Sequence, residues 1–140
     1  MTTVICLLVI SSISVGFKLS QVDFTEPSIS EDTYVYILGA FSIINGDFSQ
    51  PDRKALGWSI FISPFYLFVD STDFLHYLNI ARILSISIST ITIIPMYILA
   101  RRFFDEKYSL VASCLFAFEP HLNNNSVLGI SEPIFILAII

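Results

Sequence analysis

The stretch ILSISISTITIIPMYILA, residues 83–100, carries no charged side chain and decides the fold of this chain. Together with the mostly apolar residues from position 75, it predicts one helix over 75–101. This helix is long enough to cross a bilayer, because a membrane-spanning helix needs about 20 apolar residues. Pro95 is a candidate kink, since proline lacks the N–H group that continues the helical ladder. Arg101 follows at once and ends the apolar run.

A short basic cluster formed by Arg101, Arg102 and Lys107 sets the expected orientation of this span. Lys and Arg beside a membrane span are enriched on the cytoplasmic side. We therefore expect the cluster and the N-terminus to be cytoplasmic. Residues 19–74 and 121–131 then share the opposite, outer face of the membrane.

The composition excludes a soluble globular domain. Of the 140 residues, 54% are hydrophobic and 14% are charged, and the mean hydropathy is +0.75. Soluble domains are about 45–50% apolar and about 25% charged, and so few charges cannot cover so much apolar surface. We therefore expect an integral membrane protein whose first partner is the lipid bilayer. The net charge is −5, and no basic stretch is long enough to indicate nucleic-acid binding.

The predicted fold class is all-α and multi-pass, with the 140 residues forming the N-terminal part of one membrane domain. Two of the predicted helices are too short or too interrupted to span, and their aromatic and amphipathic character favours the membrane interface of a first outer loop. The apolar run at the end of the sequence is still growing at Ile140, so we expect the chain to be part of a longer protein. The predicted helices are 3–18, the interfacial 30–45 and 55–69, then 75–101, 108–122 and the beginning of another over 132–140.

Three carboxylates are candidate functional residues at the outer face. Glu31 and Asp32 open the amphipathic helix, and Glu132 stands where the last apolar helix begins. Acids in a first turn also favour the helix dipole by about 0.3–1 kcal/mol, so a purely structural role is an open alternative for all three. The functional alternative is a general base or a metal ligand beside the bilayer. The predicted orientation places all three on the same side of the membrane.

Two basic residues on the outer side are candidates for binding a phosphate. Lys54 lies between the two predicted interfacial helices, and Arg82 lies near the outer end of the 75–101 helix. Guanidinium groups bind phosphate through a planar fork, and ammonium groups bind it as a point charge. Attraction to lipid headgroups is the alternative for both residues, and Arg82 is also placed to extend its side chain towards the membrane surface.

Four short motifs in this order resemble the N-terminal part of the GT-C class of membrane glycosyltransferases. Residues 31–36, EDTYVY, are similar to the class's Asp-Asp/Glu-x-Tyr pattern, and Lys54 matches a basic position before the second juxtamembrane helix. Residues 79–85, NIARILS, resemble the Ala-Arg-Leu beginning of the next span. Residues 125–132, NSVLGISE, are similar to the segment that carries a second acidic motif. The class includes the protein mannosyltransferases, and the resemblance covers about the first third of the length of a typical member.

The resemblance implies a transferase that uses a sugar carried on dolichyl or polyprenyl phosphate. Asp32 would act as the general base towards an acceptor hydroxyl or amide of a protein or glycan, supported by Glu31. Glu132 would control charge or complete a divalent metal site with Asp32. The oxygen ligands of such a site suit Mg²⁺ or Mn²⁺, although other branches of the class work without a metal. Lys54 and Arg82 would neutralise the phosphate leaving group. The active face would be outside or lumenal, in a plasma membrane or an endoplasmic-reticulum-type membrane.

A non-enzymatic multi-pass protein, such as a transporter segment or an assembly subunit, is the alternative function, and an inactive truncated product is a third. A transporter places ionisable residues near the middle of the bilayer. Here the middles of the predicted spans carry only Ser, Thr and Pro as polar or helix-breaking residues, whereas the acids collect at one interface. This pattern favours interfacial chemistry.

Overall fold

The computed structural model describes residues 2–27, 30–47, 56–69 and 71–140. Within these ranges the chain is entirely helical apart from turns and connecting segments, which confirms the predicted all-α class. The helices are α1 (Thr2–Gln21), α2 (Glu31–Ile44), α3 (Leu56–Tyr66), α4 (Phe74–Ile91), α5 (Ile93–Ala100), α6 (Glu106–Ala117), α7 (Pro120–Leu128) and α8 (Glu132–Ile139).

Two stretches of the described chain are long and apolar enough to cross a membrane, namely α1 and the combined α4–α5 helix, Phe74–Ala100. They support a membrane association by their length and composition. Most of the outward-facing side chains of α1, including Val4, Leu8 and Ile13, are large, apolar and exposed. Such a surface is suited to lipid and not to water.

The α4–α5 helix begins at a capping residue and is interrupted three residues before a proline. Asp73 caps it, because its Oδ1 accepts the Leu75 N–H at 2.9 Å. Pro95 has no N–H for the carbonyl of the preceding turn, yet the Thr92 N–H still donates to Ile88 O and the Met96 N–H to Thr92 O. The interruption at Thr92 is therefore local, and 27 residues at 1.5 Å each give a helix of about 40 Å.

The two ends of the bundle collect different residues. At one end, the Thr3 hydroxyl donates to the Glu106 carboxylate, close to the basic cluster that follows α5. Further along, the Ser14 hydroxyl donates to Ala117 O at 3.1 Å, so α1 and α6 run in parallel. The opposite end carries the connection from α1 to α2, the α2–α3 pair and the beginning of α4.

The predicted helix over 108–122 is wrong in its C-terminal part. The helix α6 ends at Ala117, because Pro120 cannot continue an α-helical ladder. Pro120 instead begins α7, and the Glu119 carboxylate caps this helix by accepting the Leu122 N–H at 2.6 Å. Residues 123–126, which lie beyond the predicted helix, therefore belong to a second helix that packs against α4 and α1.

The helices α2 and α3 pack on each other and cover the beginning of α4. Their shared core includes Ile37, Trp58 and Ile62, and Tyr66 at the end of α3 donates from its hydroxyl to Tyr77 O at 3.0 Å. Burial raises the pKa of the Tyr66 hydroxyl, so it stays protonated as a donor. The outer side of α3 and the residues after it expose large apolar side chains, with Phe68 87% exposed.

Candidate functional site

The candidate site lies where α2 meets the connection between α7 and α8. The Thr33 hydroxyl donates to Leu128 O at 2.9 Å, and the Tyr36 hydroxyl lies 2.9 Å from Ser131 Oγ. Thr33 and Tyr36 are three residues apart and therefore on one face of α2. This face holds the acid-headed end of α2 against residues 128–131, directly before Glu132.

Gly129 allows this connection to approach α4 closely. Its φ of +78° lies in the left-handed region, and a Cβ atom there would stand 3.1 Å from the backbone nitrogen of Arg82. Its carbonyl accepts the Trp58 indole N–H at 3.0 Å, and the next carbonyl, of Ile130, accepts the Ser85 hydroxyl at 3.3 Å. Together with the bond from Thr33 to Leu128 O, these bonds hold α2, α3 and α4 to three successive carbonyls, with Gly129 in the middle.

Glu31 and Asp32 occupy the first turn of α2, as predicted, and both are exposed. Ser30 is the N-cap residue in an extended conformation. Carboxylates at this end of a helix interact favourably with its dipole. Their exposure leaves the acid pair accessible at the end of the bundle that carries the connection from α1 to α2.

Glu132 lies deeper than the acid pair. Its Oε2 atom is buried and has no hydrogen-bond partner within the described chain, and the residue lines a small cavity with Ser89 and Thr92. Ser89 is 15 residues into the 27-residue helix, about 22 Å from one end and about 17 Å from the other. Glu132 therefore belongs to the interior of the bundle, and its predicted position at the membrane interface is wrong.

The ligand set for the predicted metal ion is not complete in the described ranges. No group of three or more His, Cys, Asp and Glu side chains stands close enough there to hold a metal ion. Asp32 is exposed while the free oxygen of Glu132 is buried. The residues present do not fit a metal bridging these two carboxylates, and the proposed chemistry below uses none.

Arg82 holds the loop between α1 and α2. Its Nη1 donates to Asp23 O at 3.0 Å, to Glu26 O at 3.1 Å and to Asn79 Oδ1 at 3.1 Å. The Asn79 amide also donates to Phe24 O at 2.8 Å. The Arg82 side chain is 6% exposed, so it does not extend to the membrane surface as one alternative has it. Its role as a phosphate ligand stays a prediction.

Asp23 shapes the same loop from the outside. Its Oδ1 accepts the Thr25 backbone N–H at 2.8 Å and the Thr25 hydroxyl at 2.6 Å. These hydrogen bonds, with a smaller contribution from the charge of Arg82, hold the pKa of the Asp23 carboxyl below its usual range. Lys54, the other predicted phosphate ligand, lies outside the described residues.

Sequence reasoning missed a buried polar row along α4. Arg82, Ser85, Ser89 and Thr92 recur at intervals of three or four and are all buried. Lys18 was predicted to end the first apolar helix, but it lies within α1 and is 1% exposed. Its Nζ donates to Ser89 Oγ of this row at 2.8 Å. The periodicity of the row was visible in the sequence as a polar face within an apolar helix, but its partner on α1 was not.

Comparison of the chain with family models, with curated proteins and with solved structures finds no match.

Proposed function

We propose that this chain is the N-terminal part of a multi-pass membrane glycosyltransferase that takes a sugar from a lipid-phosphate donor and transfers it to an acceptor at the outer face. The observation that carries the proposal is the packing of the acid-headed α2 on residues 128–131, through Thr33 and Tyr36. This contact fixes an exposed pair of carboxylates at one end of the helix bundle.

The chemistry assigned to this site is general-base catalysis with electrostatic help. Asp32 deprotonates or orients the acceptor hydroxyl or amide, and Glu31 beside it reinforces the negative potential. The donor's phosphate is the leaving group, and Lys54 is the residue proposed to stabilise its charge. Arg82 contributes by fixing the loop that leads into α2, through its bonds to two loop carbonyls.

The test is Asp32→Asn in the full-length protein, assayed in membranes supplied with lipid-phosphate sugar and acceptor. We expect sugar transfer to fall by about 10²–10⁴-fold, which is the usual contribution of a general base. Glu26→Gln is the matched control, because Glu26 is an exposed acid of the preceding loop. Undiminished transfer by a stably expressed Asp32→Asn protein removes Asp32 from the mechanism.

A transporter segment or assembly subunit is the second candidate, and one observation favours it. Lys18 is buried against Ser89 well inside the α4–α5 helix, and ionisable residues at such depth are frequent in transport proteins. The two candidates differ in which charged residue the function of the protein requires. If Lys18→Met abolishes function while Asp32→Asn does not, the second candidate is the better one.

A further inference from the structure

A small cavity lies inside the bundle beside the middle of the α4–α5 helix. Its polar lining consists of Ser89, Thr92 and Glu132, and the rest is apolar, including Phe116 and Ile136. The space open to the centre of a water molecule is about 10 Å³. This is close to the smallest volume that holds one water, which also requires two to four polar partners.

The polar groups around this cavity form an ordered series of donors and acceptors. An ammonium group only donates, and Lys18 Nζ donates to Ser89 Oγ at 2.8 Å. The Ser89 hydroxyl, having accepted this bond, keeps its own hydrogen free to donate. A carboxylate only accepts, and the buried Oε2 of Glu132, across the same cavity, has no hydrogen-bond partner within the described chain.

Charge and burial favour pairing of the two ionisable groups. Lys18 is almost fully buried, and an isolated charge in an apolar interior is costly unless an opposite charge or hydrogen bonds compensate it. No direct contact of 4.0 Å or less joins Lys18 to an acid in the described part of the chain. Glu132 is the acid that lines the same cavity as Ser89.

We propose that Lys18 and Glu132 form a buried charge pair, connected through Ser89 and one water molecule bound in this cavity, which ties α1 and α8 to α4. The water accepts from Ser89 and donates to Glu132 Oε2, and Thr92 Oγ1 is its further acceptor. Each polar atom in the series then has a partner. This site is separate from the exposed acid pair, and the proposal stands whether or not the chain is a transferase.

The test is a double-mutant cycle on the whole chain in detergent micelles, with Lys18→Met, Glu132→Gln and the double variant. Unfolding is followed by the fluorescence of Trp58, the only tryptophan. We expect each single variant to lower the unfolding midpoint by about 10 °C, because it leaves a buried charge unpaired. The double variant removes both charges and should unfold at a higher temperature than either single variant.

Two exposed residues of the opposite end provide the matched controls. Lys107→Met and Asp105→Asn change the same charges at the surface, so neither should shift the midpoint. If the two effects at Lys18 and Glu132 simply add, the residues are independent and the proposal is wrong. If the single variants fail to fold, recovery of folded protein by the double variant supports the pair, and failure of the double variant overturns it.

The connecting role of Ser89 has its own measurement. Ser89→Ala keeps both charges and removes the hydroxyl between them, so it should lower the midpoint in the wild-type background. In the background of the double variant it should have no effect, because no charge remains to connect. An equal decrease in both backgrounds contradicts the proposed connection.

Discussion

Gly129→Ala tests whether one glycine controls the approach of the α7–α8 connection to α4. The substitution forces alanine into the left-handed region at φ +78°, which costs about 1–2 kcal/mol. The new Cβ would also lie 3.1 Å from the backbone nitrogen of Arg82 and 3.3 Å from the carbonyl carbon of Ala81. Crowding against backbone that cannot rotate away adds about 1–3 kcal/mol, so we expect a loss of about 2–5 kcal/mol.

Two other glycines separate these contributions. Gly46 also has a left-handed φ, +73°, but its Cβ would meet nothing within 4 Å. Gly46→Ala should therefore lose only the conformational part, about 1–2 kcal/mol. Gly16 lies within α1 with open space around it, and its replacement by alanine should stabilise the helix by about 0.5–1 kcal/mol.

The assay is denaturant unfolding of each variant in the same detergent, followed by Trp58 fluorescence, which reports on the contact because the Trp58 indole bonds Gly129 O. The order of stability should be Gly16→Ala, wild type, Gly46→Ala and then Gly129→Ala. The reasoning is refuted if Gly129→Ala is no less stable than Gly46→Ala, since the close approach to α4 would then cost nothing.

Two further substitutions test neighbouring contacts. Trp58→Phe keeps a buried ring but leaves Gly129 O without its indole donor, and should cost about 1–3 kcal/mol. Because this variant lacks the tryptophan, its denaturant unfolding and that of the wild type are followed by helical circular dichroism, and an unchanged stability would mean that water replaces this donor. Asp23→Asn should lower the thermal midpoint slightly at pH 7. The pKa of Asp23 is lower in the folded protein than in the unfolded chain, where it is about 3.9, so the ionised carboxylate stabilises the fold above that pH. This stabilisation is lost as the pH falls through the lower pKa of the folded state. The gap between variant and wild type should therefore close at the acidic end of a pH series, and a gap that stays constant would rule out the charge of Asp23 as its cause.

The helices that the sequence predicted well are those whose boundaries are marked by local chemistry. Glu31 and Asp32 mark the first turn of α2, and Asn45-Gly46 marks its end. The long apolar run likewise predicts α4–α5 within one residue at each end. In each case the signal lies within a few positions of the feature that it predicts, so a single sequence is sufficient.

The prediction failed for α7 because that helix does not depend on an apolar stripe of its own. Residues 121–126 are polar and indicate a loop, yet Asn123, Asn125 and Ser126 are buried in the bundle. Their helix begins with the cap of Glu119 and the proline that follows it, and it ends at Gly129. The burial of such a helix depends on its tertiary contacts, and the hydrophobic periodicity of the sequence gives no information about these contacts.

The depth of Glu132 was missed for a related reason. In the sequence it precedes an apolar run, as an interfacial acid would, and nothing local shows that α8 begins inside the bundle and not at its surface. The deciding contacts are distant in the chain: Ser131 lies beside Tyr36, and Ser85 bonds Ile130 O. Equally, the burial of Lys18 depends on Ser89, 71 positions away.

The different depths of the acids bear on which of them can act on a substrate. A general base must come within hydrogen-bond reach of the proton that it removes, and the exposure of Asp32 and Glu31 leaves both open to such a contact. The free oxygen of Glu132 is buried in a cavity with room for about one water, which is far too small for a sugar acceptor. A catalytic role for Glu132 would need α8 to move away from α4, whereas a role as the counter-charge of Lys18 needs no movement. The proposed acid chemistry is therefore assigned to the first turn of α2, and the role proposed for Glu132 is to hold α8 against α4 as the counter-charge of Lys18.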